Sequence, residues 1–394
     1  MANTNSKKFD TIISRQHSGS TKWDDAPALF GSSDVLPFWV ADMDFSSPPA
    51  VTEALAARVE HGIFGYPSPH SYSYDAIVAW LEKRHNWNTN PSWMVSTPGV
   101  VTALTLAVQT FTKPGDKVII QPPVYPPFFS SIQNQNRLVL ENPLVYENGS
   151  YHIDFDDLAS KAKEAKLLIL CSPHNPVGRV WSRSELTQLL KICTENNILV
   201  VADEIHGDLV YTGHQYIPLG SLDATSKDQI ISLTAPSKTF NTAGLYTSIA
   251  IIPNDKLRSQ FSRVVQQLGI NKSNVFGITA LEAAYRHGAP WLDELLVYLE
   301  GNADFLTDFI ATNIPAIKVD KPQGTYLAWL DCRNLKLSQK ELSKFFAQQA
   351  KVGLNDGATF GSQGNGFMRL NFGCPRPLLA EGLNRIAQAV KQLR

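Results

Sequence analysis

Three short apolar runs constrain this chain more than anything else in it. They are Leu167 to Cys171, Ile198 to Ala202 and Ile230 to Leu233. Each has strand length, and each ends in a loop carrying polar residues: Ser172 to Gly178, Asp203 to His206, and Thr234 to Asn241. A helical pattern from Glu185 to Asn196 separates the first two. Strand–helix–strand alternation with nearly continuous apolar strands predicts a parallel α/β sheet covered on both faces. Ligands of such sheets bind beyond the carboxyl ends of the strands. That rule puts Asn175, Asp203 and Lys238 on one edge. They lie 28 and 35 residues apart, each step about one βαβ unit.

Upstream, Lys22 to Asp24 reads as a turn and Leu36 to Phe45 as an extended, aromatic-lined segment. Pro48-Pro49 starts a helix that ends at His61-Gly62, and a second runs from about Tyr74 to Arg84. Ser96 to Val101 opens a third, and its Pro98-Gly99 turn feeds a helix N-terminus suited to an anion. After the strand Lys117 to Ile120, Pro122 to Phe129 reads as a stiff loop whose four prolines fix Tyr125 as a stacking platform or simply pack. Downstream, helices are expected at Lys256 to Gly269, Val275 to Arg286, Trp291 to Ile314, Gln339 to Gln349 and Ala380 to Leu393. Strands are expected at Ser248 to Ile252, Gly324 to Leu330 and Phe367 to Gly373. The glycines of Gly361 to Gly366 lack a strand-to-helix setting, so they are no dinucleotide fingerprint.

Composition removes several function classes. With 394 residues and 43% hydrophobic content, the chain can bury more than one compact domain. A formal net charge of −1 lacks the basic surface of a nucleic-acid binder. The polar start MANTNSKKFD has no apolar core for a signal peptide, and no stretch approaches the ~18 apolar residues of a membrane span. Cys171, Cys193, Cys332 and Cys374 are scattered, which reads as reduced thiols in a cytoplasmic protein. No CxxC or HExxH occurs, so no metal site is expected.

Lys238 is the chemical centre of this reading. Its neighbours are small or apolar, and a desolvated lysine loses proton affinity and becomes a nucleophile. A Schiff base with a carbonyl is the chemistry such an amine offers, and pyridoxal phosphate is the cofactor that uses it. Asp203 at a strand end suits a protonated pyridine nitrogen, or is a strand-end cap. Asn175 suits the ring oxygen, or closes its loop. Arg369, one charge in an apolar run, suits a substrate α-carboxylate, or a structural ion pair.

Taken together, Ser172-Pro173-His174-Asn175-Pro176-Val177-Gly178, Ala202-Asp203-Glu204-Ile205-His206 and Ser237-Lys238-Thr239-Phe240-Asn241 resemble the fold-type I pyridoxal-phosphate enzymes of the class I/II aminotransferase superfamily. The resemblance runs nearly the full length. Trp39 to Phe45, Phe64-Gly65-Tyr66, Ala235 to Asn241 and Arg369 to Arg376 narrow it to the MalY/PatB-type cystathionine β-lyase, or carbon–sulfur lyase, branch. The resemblance implies an aminotransferase-like α/β fold. A large, mostly parallel-sheet cofactor domain would cover residues 46–290, and a smaller α/β domain residues 1–45 plus 291–394.

The same resemblance implies the site. Lys238 is the Schiff-base lysine and the base. Asp203, Asn175, Tyr125, Gly99, Val100, Val101, His206 and Ser237 hold the cofactor, and Arg369 and Ala41 hold the substrate. Tyr66 matches a tyrosine that reaches the phosphate in a neighbouring subunit, which implies a homodimer with shared sites and a catalytic tyrosine. Three positions depart from the commoner aminotransferase pattern: His206 stands where many have tyrosine, Ala235 where many have serine, and Tyr246 where many have a phosphate-binding arginine. The lyase branch also lacks that arginine. The expected reaction is α,β-elimination on L-cystathionine or a related cysteine S-conjugate, releasing a thiol, pyruvate and ammonia. Transamination and a regulatory binding protein that keeps the fold are the alternatives.

Overall fold

The computed structural model describes residues 8–68, 71–222 and 226–393. The start of the polar N-terminal stretch, residues 1–7, lies outside them. At the centre is a seven-stranded sheet: β1 (Met94–Thr97), β2 (Lys117–Ile120), β3 (Leu138–Glu141), β4 (Ala165–Cys171), β5 (Leu199–Asp203), β6 (Ile230–Thr234) and β7 (Ser248–Ile251). Their spatial order is β1-β7-β6-β5-β4-β2-β3. Six of the seven strands run in one direction, and β7 alone is reversed, antiparallel to both its neighbours. The connection from β6 to β7 explains the exception. It holds only one-turn helices and no crossover helix, so the chain must return antiparallel.

Apolar side chains cover both faces of the sheet, as the continuous apolar runs require. Val118, Ile120, Leu167, Ile169, Val201 and Leu233 pack on one face with Leu104 and Val108 of the helix Val100–Phe111. Ile119, Leu168, Leu170, Val200 and Ala202 pack on the other with Leu186 and Leu189 of the helix Arg183–Glu195. A capping box between Ser182 and Glu185 starts that second helix. Because side chains alternate with a period of two, Asp203 lies on the face of Val201, and Cys171 on the face of Ile169. The helix Val100–Phe111 covers that face, so its N-terminus and the Asp203 carboxylate meet at one edge.

The C-terminal part builds its own antiparallel sheet from β8 (Leu327–Asp331), β9 (Asn355–Asp356) and β10 (Phe367–Asn371), in the order β8-β10-β9. The long helix Ala289–Asn313 and the terminal helix Arg376–Gln392 bury Leu295, Leu299, Leu306, Leu379 and Leu383 in the same core as Leu327 and Leu330. Near the N-terminus, Leu36–Pro37 pairs in parallel with Val352–Gly353.

Local departures from the sequence reading have local causes. Lys22 to Asp24 lies in a one-turn helix, Thr21–Asp24, rather than an open turn. The proline-rich loop yields to a helix at Pro127–Gln133, because Pro127 stands in a first turn where its missing N–H is harmless. The strand expected from Gly324 begins only at Leu327. The helix from Gln339 is α-helical to Lys344 and becomes a π-turn over Phe345–Gln349.

Candidate active site

The carboxyl ends of β4, β5 and β6 open into a cleft of about 830 Å³. Asn175, Asp203, His206, Tyr125, Gly99, Val100, Val101, Ser237, Lys238 and Ala41 all line it. Ten of the twelve residues singled out in the sequence therefore share one wall, drawn from chain positions 41 to 238. Arg369 lies behind that wall, and Tyr66 lies away from it.

Lys238 projects from the one-turn helix Pro236–Thr239, between β6 and β7. Its Nζ donates to the Ala41 carbonyl at 2.6 Å. Burial brings its pKa down to about 8, against the raising effect of Asp42 and Asp203 and helped by Arg369. In cofactor-free protein, labelling of Lys238 by an amine-selective reagent should therefore rise with a midpoint near pH 8, followed by mass spectrometry of the Lys238 peptide. A midpoint at the usual lysine value of about 10.4 would contradict the buried setting.

Two side-chain amides fix the ground under the lysine. Asn241 accepts from the Met43 N–H at 3.0 Å and donates to the Met43 and Phe45 carbonyls at 2.9 and 2.7 Å. Asn371 donates to the Val40 and Asp42 carbonyls, each at 2.6 Å. Tyr326 adds a bond to the Ala41 carbonyl at 2.9 Å. The segment 40–45 is thus held by the lysine turn on one side and by β10 on the other. The sequence reading assigned no role to Asn241, Asn371 or Tyr326. A polar Asn371 inside an apolar strand was the available signal.

Asp203 is buried, and among the described residues its carboxylate accepts the Ile205 N–H alone, at 3.2 Å. Among the described residues it has no ion-pair partner, and burial lifts its pKa to about 6. In the folded state this carboxyl keeps its proton up to about pH 6, whereas the unfolded chain loses it near the usual value of about 3.9. The folded state then binds more protons between these two values, so its stability falls as pH rises through that window. The shift corresponds to about 3 kcal/mol. Cofactor-free Asp203→Asn protein should be more stable than the parent at pH 7 by up to about that amount, and the gain should vanish near pH 4. Denaturant melts at the two pH values test this; an equal gain at both would refute it.

Arg369 on β10 is also buried, and its charge has no carboxylate partner among the described residues. Its fork donates to Asn175 Oδ1 at 3.0 Å, to the Trp39 carbonyl at 2.9 Å and to Asn355 Oδ1 at 2.6 Å. Its Nε has no partner, and burial lowers its pKa to about 10. His206 is buried beside the Tyr326 ring, with Nδ1 unpartnered and the pKa lowered by burial to about 3, so it is neutral. Tyr125 packs edge-on to Phe128 with ring centroids 6.2 Å apart.

These features fit pyridoxal phosphate. An uncompensated buried carboxylate suits a pyridinium nitrogen. Since Asn175 Oδ1 is taken by Arg369, its Nδ2 hydrogens are left for a ring oxygen. The helix Val100–Phe111 presents its first amides to the cleft, and a Cβ at Gly99 would meet no atom within 4 Å, so an anion has room there. Tyr66 is 91% exposed, under the Lys272 ammonium at 4.7 Å, and contributes nothing to the cleft of its own chain.

Comparisons with known proteins agree with this geometry. The family model for aminotransferase class I and II matches residues 33–386. The chain is 47% identical to cystathionine beta-lyase PatB of Bacillus subtilis, over 97% of this chain and 99% of that one. It is 34% identical to protein MalY of Escherichia coli, over 98% and 99%. Among solved structures, it matches cystalysin from Treponema denticola, which contains a pyridoxal 5'-phosphate cofactor, with a TM-score of 0.95. The identity there is 38%, covering 98% of this chain and 99% of that one.

Proposed function

The chain belongs to the class I and II aminotransferase family, and we propose that within it this protein is a pyridoxal-phosphate-dependent carbon–sulfur β-lyase. Its substrate is L-cystathionine or a related cysteine S-conjugate, and its products are a thiol, pyruvate and ammonia. The observation that carries lyase over aminotransferase is the 47% identity to a cystathionine beta-lyase along almost the whole of both chains.

The chain's own residues divide the work as follows. Arg369 holds the α-carboxylate; among the described residues this buried cation has no carboxylate partner. Lys238, neutral above about pH 8, takes the Cα proton on Nζ. Asp203 would hold the protonated ring nitrogen of pyridoxal phosphate. When bound, pyridoxal phosphate supplies a conjugated electron sink for the pair left at Cα. Tyr125 and Asn175, which both line the cleft, would hold the cofactor's ring. Gly99, Val100, Val101 and Ser237 receive the phosphate, and neutral His206 backs the site beside Tyr326.

Tyr66 enters as a partner-subunit residue. It stands on an exposed apolar stretch with Ile63 and Phe64, which a second copy of the chain would cover. We therefore read the protein as a homodimer with shared sites. No helix among the described residues is long and apolar enough to cross a membrane; we read the enzyme as cytoplasmic.

The deciding experiment is pyruvate release from L-cystathionine by the cofactor-loaded protein without added keto acid. Continuous pyruvate with equimolar thiol is expected. A single turnover that resumes only when an α-keto acid is added would make the protein an aminotransferase instead.

A further inference from the structure

The cleft extends past Lys238 along a wall made by residues 13–21 and 40–46. Arg15 lies there against Asp42, with its two terminal nitrogens 2.8 and 2.7 Å from the two carboxylate oxygens. It also reaches Asp44 at 2.8 Å. Behind this pair, the fully buried Lys22 donates to Asp44 Oδ2 at 2.6 Å, and the Trp23 indole N–H donates to Asp44 Oδ1 at 2.8 Å. Asp44 is thereby saturated and closed off. Arg15 and Asp42 are not: their side chains keep 23% and 21% of their surface, on the cleft wall.

Two properties of this pair bear on ligands. It is joined to the reacting lysine, since Asp42 follows Ala41, whose carbonyl takes the Lys238 amine. It is also electrically balanced, because Arg15 and Lys22 offset Asp42 and Asp44. A tail with one net charge would leave a charge uncompensated there. A tail carrying both an ammonium and a carboxylate can meet Asp42 and Arg15 together.

We infer that Arg15 and Asp42 form a distal subsite that reads the zwitterionic far end of a thioether diamino acid. The distal carboxylate lies against Arg15 and the distal ammonium against Asp42, while Arg369 keeps the α-carboxylate. This inference rests on the carbon–sulfur lyase reading and narrows its substrate class to cysteine thioethers whose second half is itself an amino acid.

The test compares four substrates on the wild-type holoenzyme by pyruvate release: L-cystathionine, S-(3-carboxypropyl)-L-cysteine, S-(3-aminopropyl)-L-cysteine and S-propyl-L-cysteine. Loss of either distal charge should lower kcat/KM by about tenfold or more, mainly through KM, as expected for a charge-assisted hydrogen bond. In Arg15→Met the ratio of cystathionine to S-propylcysteine should collapse toward one. If Arg15 is only a clasp on the N-terminal arm, the variant lowers all four substrates by the same factor, and the subsite is wrong. Pyruvate from all four at equal kcat/KM in the wild type overturns the subsite alone. No pyruvate from any of them overturns the lyase reading and the subsite with it. The wild-type series decides the question even if Arg15→Met does not fold.

Discussion

Lys238→Ala is expected to lower pyruvate release from L-cystathionine by about four orders of magnitude or more, since on the proposed mechanism it removes both the proton-transferring amine and the covalent anchor. The change should leave the fold intact. Lys238 lines the cleft, and among the described residues its amine donates to the Ala41 carbonyl, which Tyr326 also satisfies. A second readout separates chemistry from collapse. Borohydride treatment of the loaded wild type should add the reduced cofactor's mass to the Lys238 peptide and nothing to the variant. Exogenous small amines should restore part of the rate, because they replace the missing proton acceptor in a site that is otherwise assembled. Wild-type turnover in Lys238→Ala would remove the lysine from the mechanism altogether.

The lysine was legible in the sequence because strand ends are. Short apolar runs announce β4, β5 and β6, and the polar residue after each run must point beyond the sheet. That logic reached Asn175, Asp203 and Lys238 without any contact information, and all three line one cleft. The local helix carrying Lys238 was harder to see. Pro236–Thr239 is a single turn, and a turn that short has no periodicity to read. The strands Met94–Thr97 and Leu138–Glu141 were overlooked for a related reason: they lie at the two edges of the sheet, and Leu138 is exposed, so the apolar pattern is thin there.

The floor of the site was the least legible part. Asp42 and Asp44 stand two residues apart in a bent segment and both meet Arg15, but nothing local names their partners. Those partners, Arg15 and Lys22, come from an arm with no regular pattern, and an isolated arginine in such an arm reads as a surface charge. Burial of Lys22 between two aspartates is a long-range outcome of the arm crossing residues 40–46. Tyr66 shows the opposite case. The family resemblance gives it a role, while a single chain leaves it on an exposed surface, so its place in a site depends on a second copy.

Arg369→Ala should reduce kcat/KM for L-cystathionine by about a thousandfold, with most of the loss in KM. The argument starts from the charge. A guanidinium buried without a carboxylate is unfavourable in the empty protein, and its lowered pKa of about 10 reports that burial. Three amide and carbonyl oxygens hold the fork in place but leave the charge uncompensated. An incoming α-carboxylate supplies the missing charge in a desolvated setting, where losing one partner of such a pair costs roughly 2–5 kcal/mol. Arg369→Lys should recover part of the affinity but not the orientation, because an ammonium cannot reproduce a planar two-point contact. The cofactor should still bind to both variants, since Asp203, Lys238 and the helix start at Gly99 are untouched. A variant that loses cofactor in parallel with activity would instead assign Arg369 to holding Asn175, its other partner in the wall of the cleft. Steady-state kinetics with cystathionine, together with cofactor titration of the same preparations, separates the two roles.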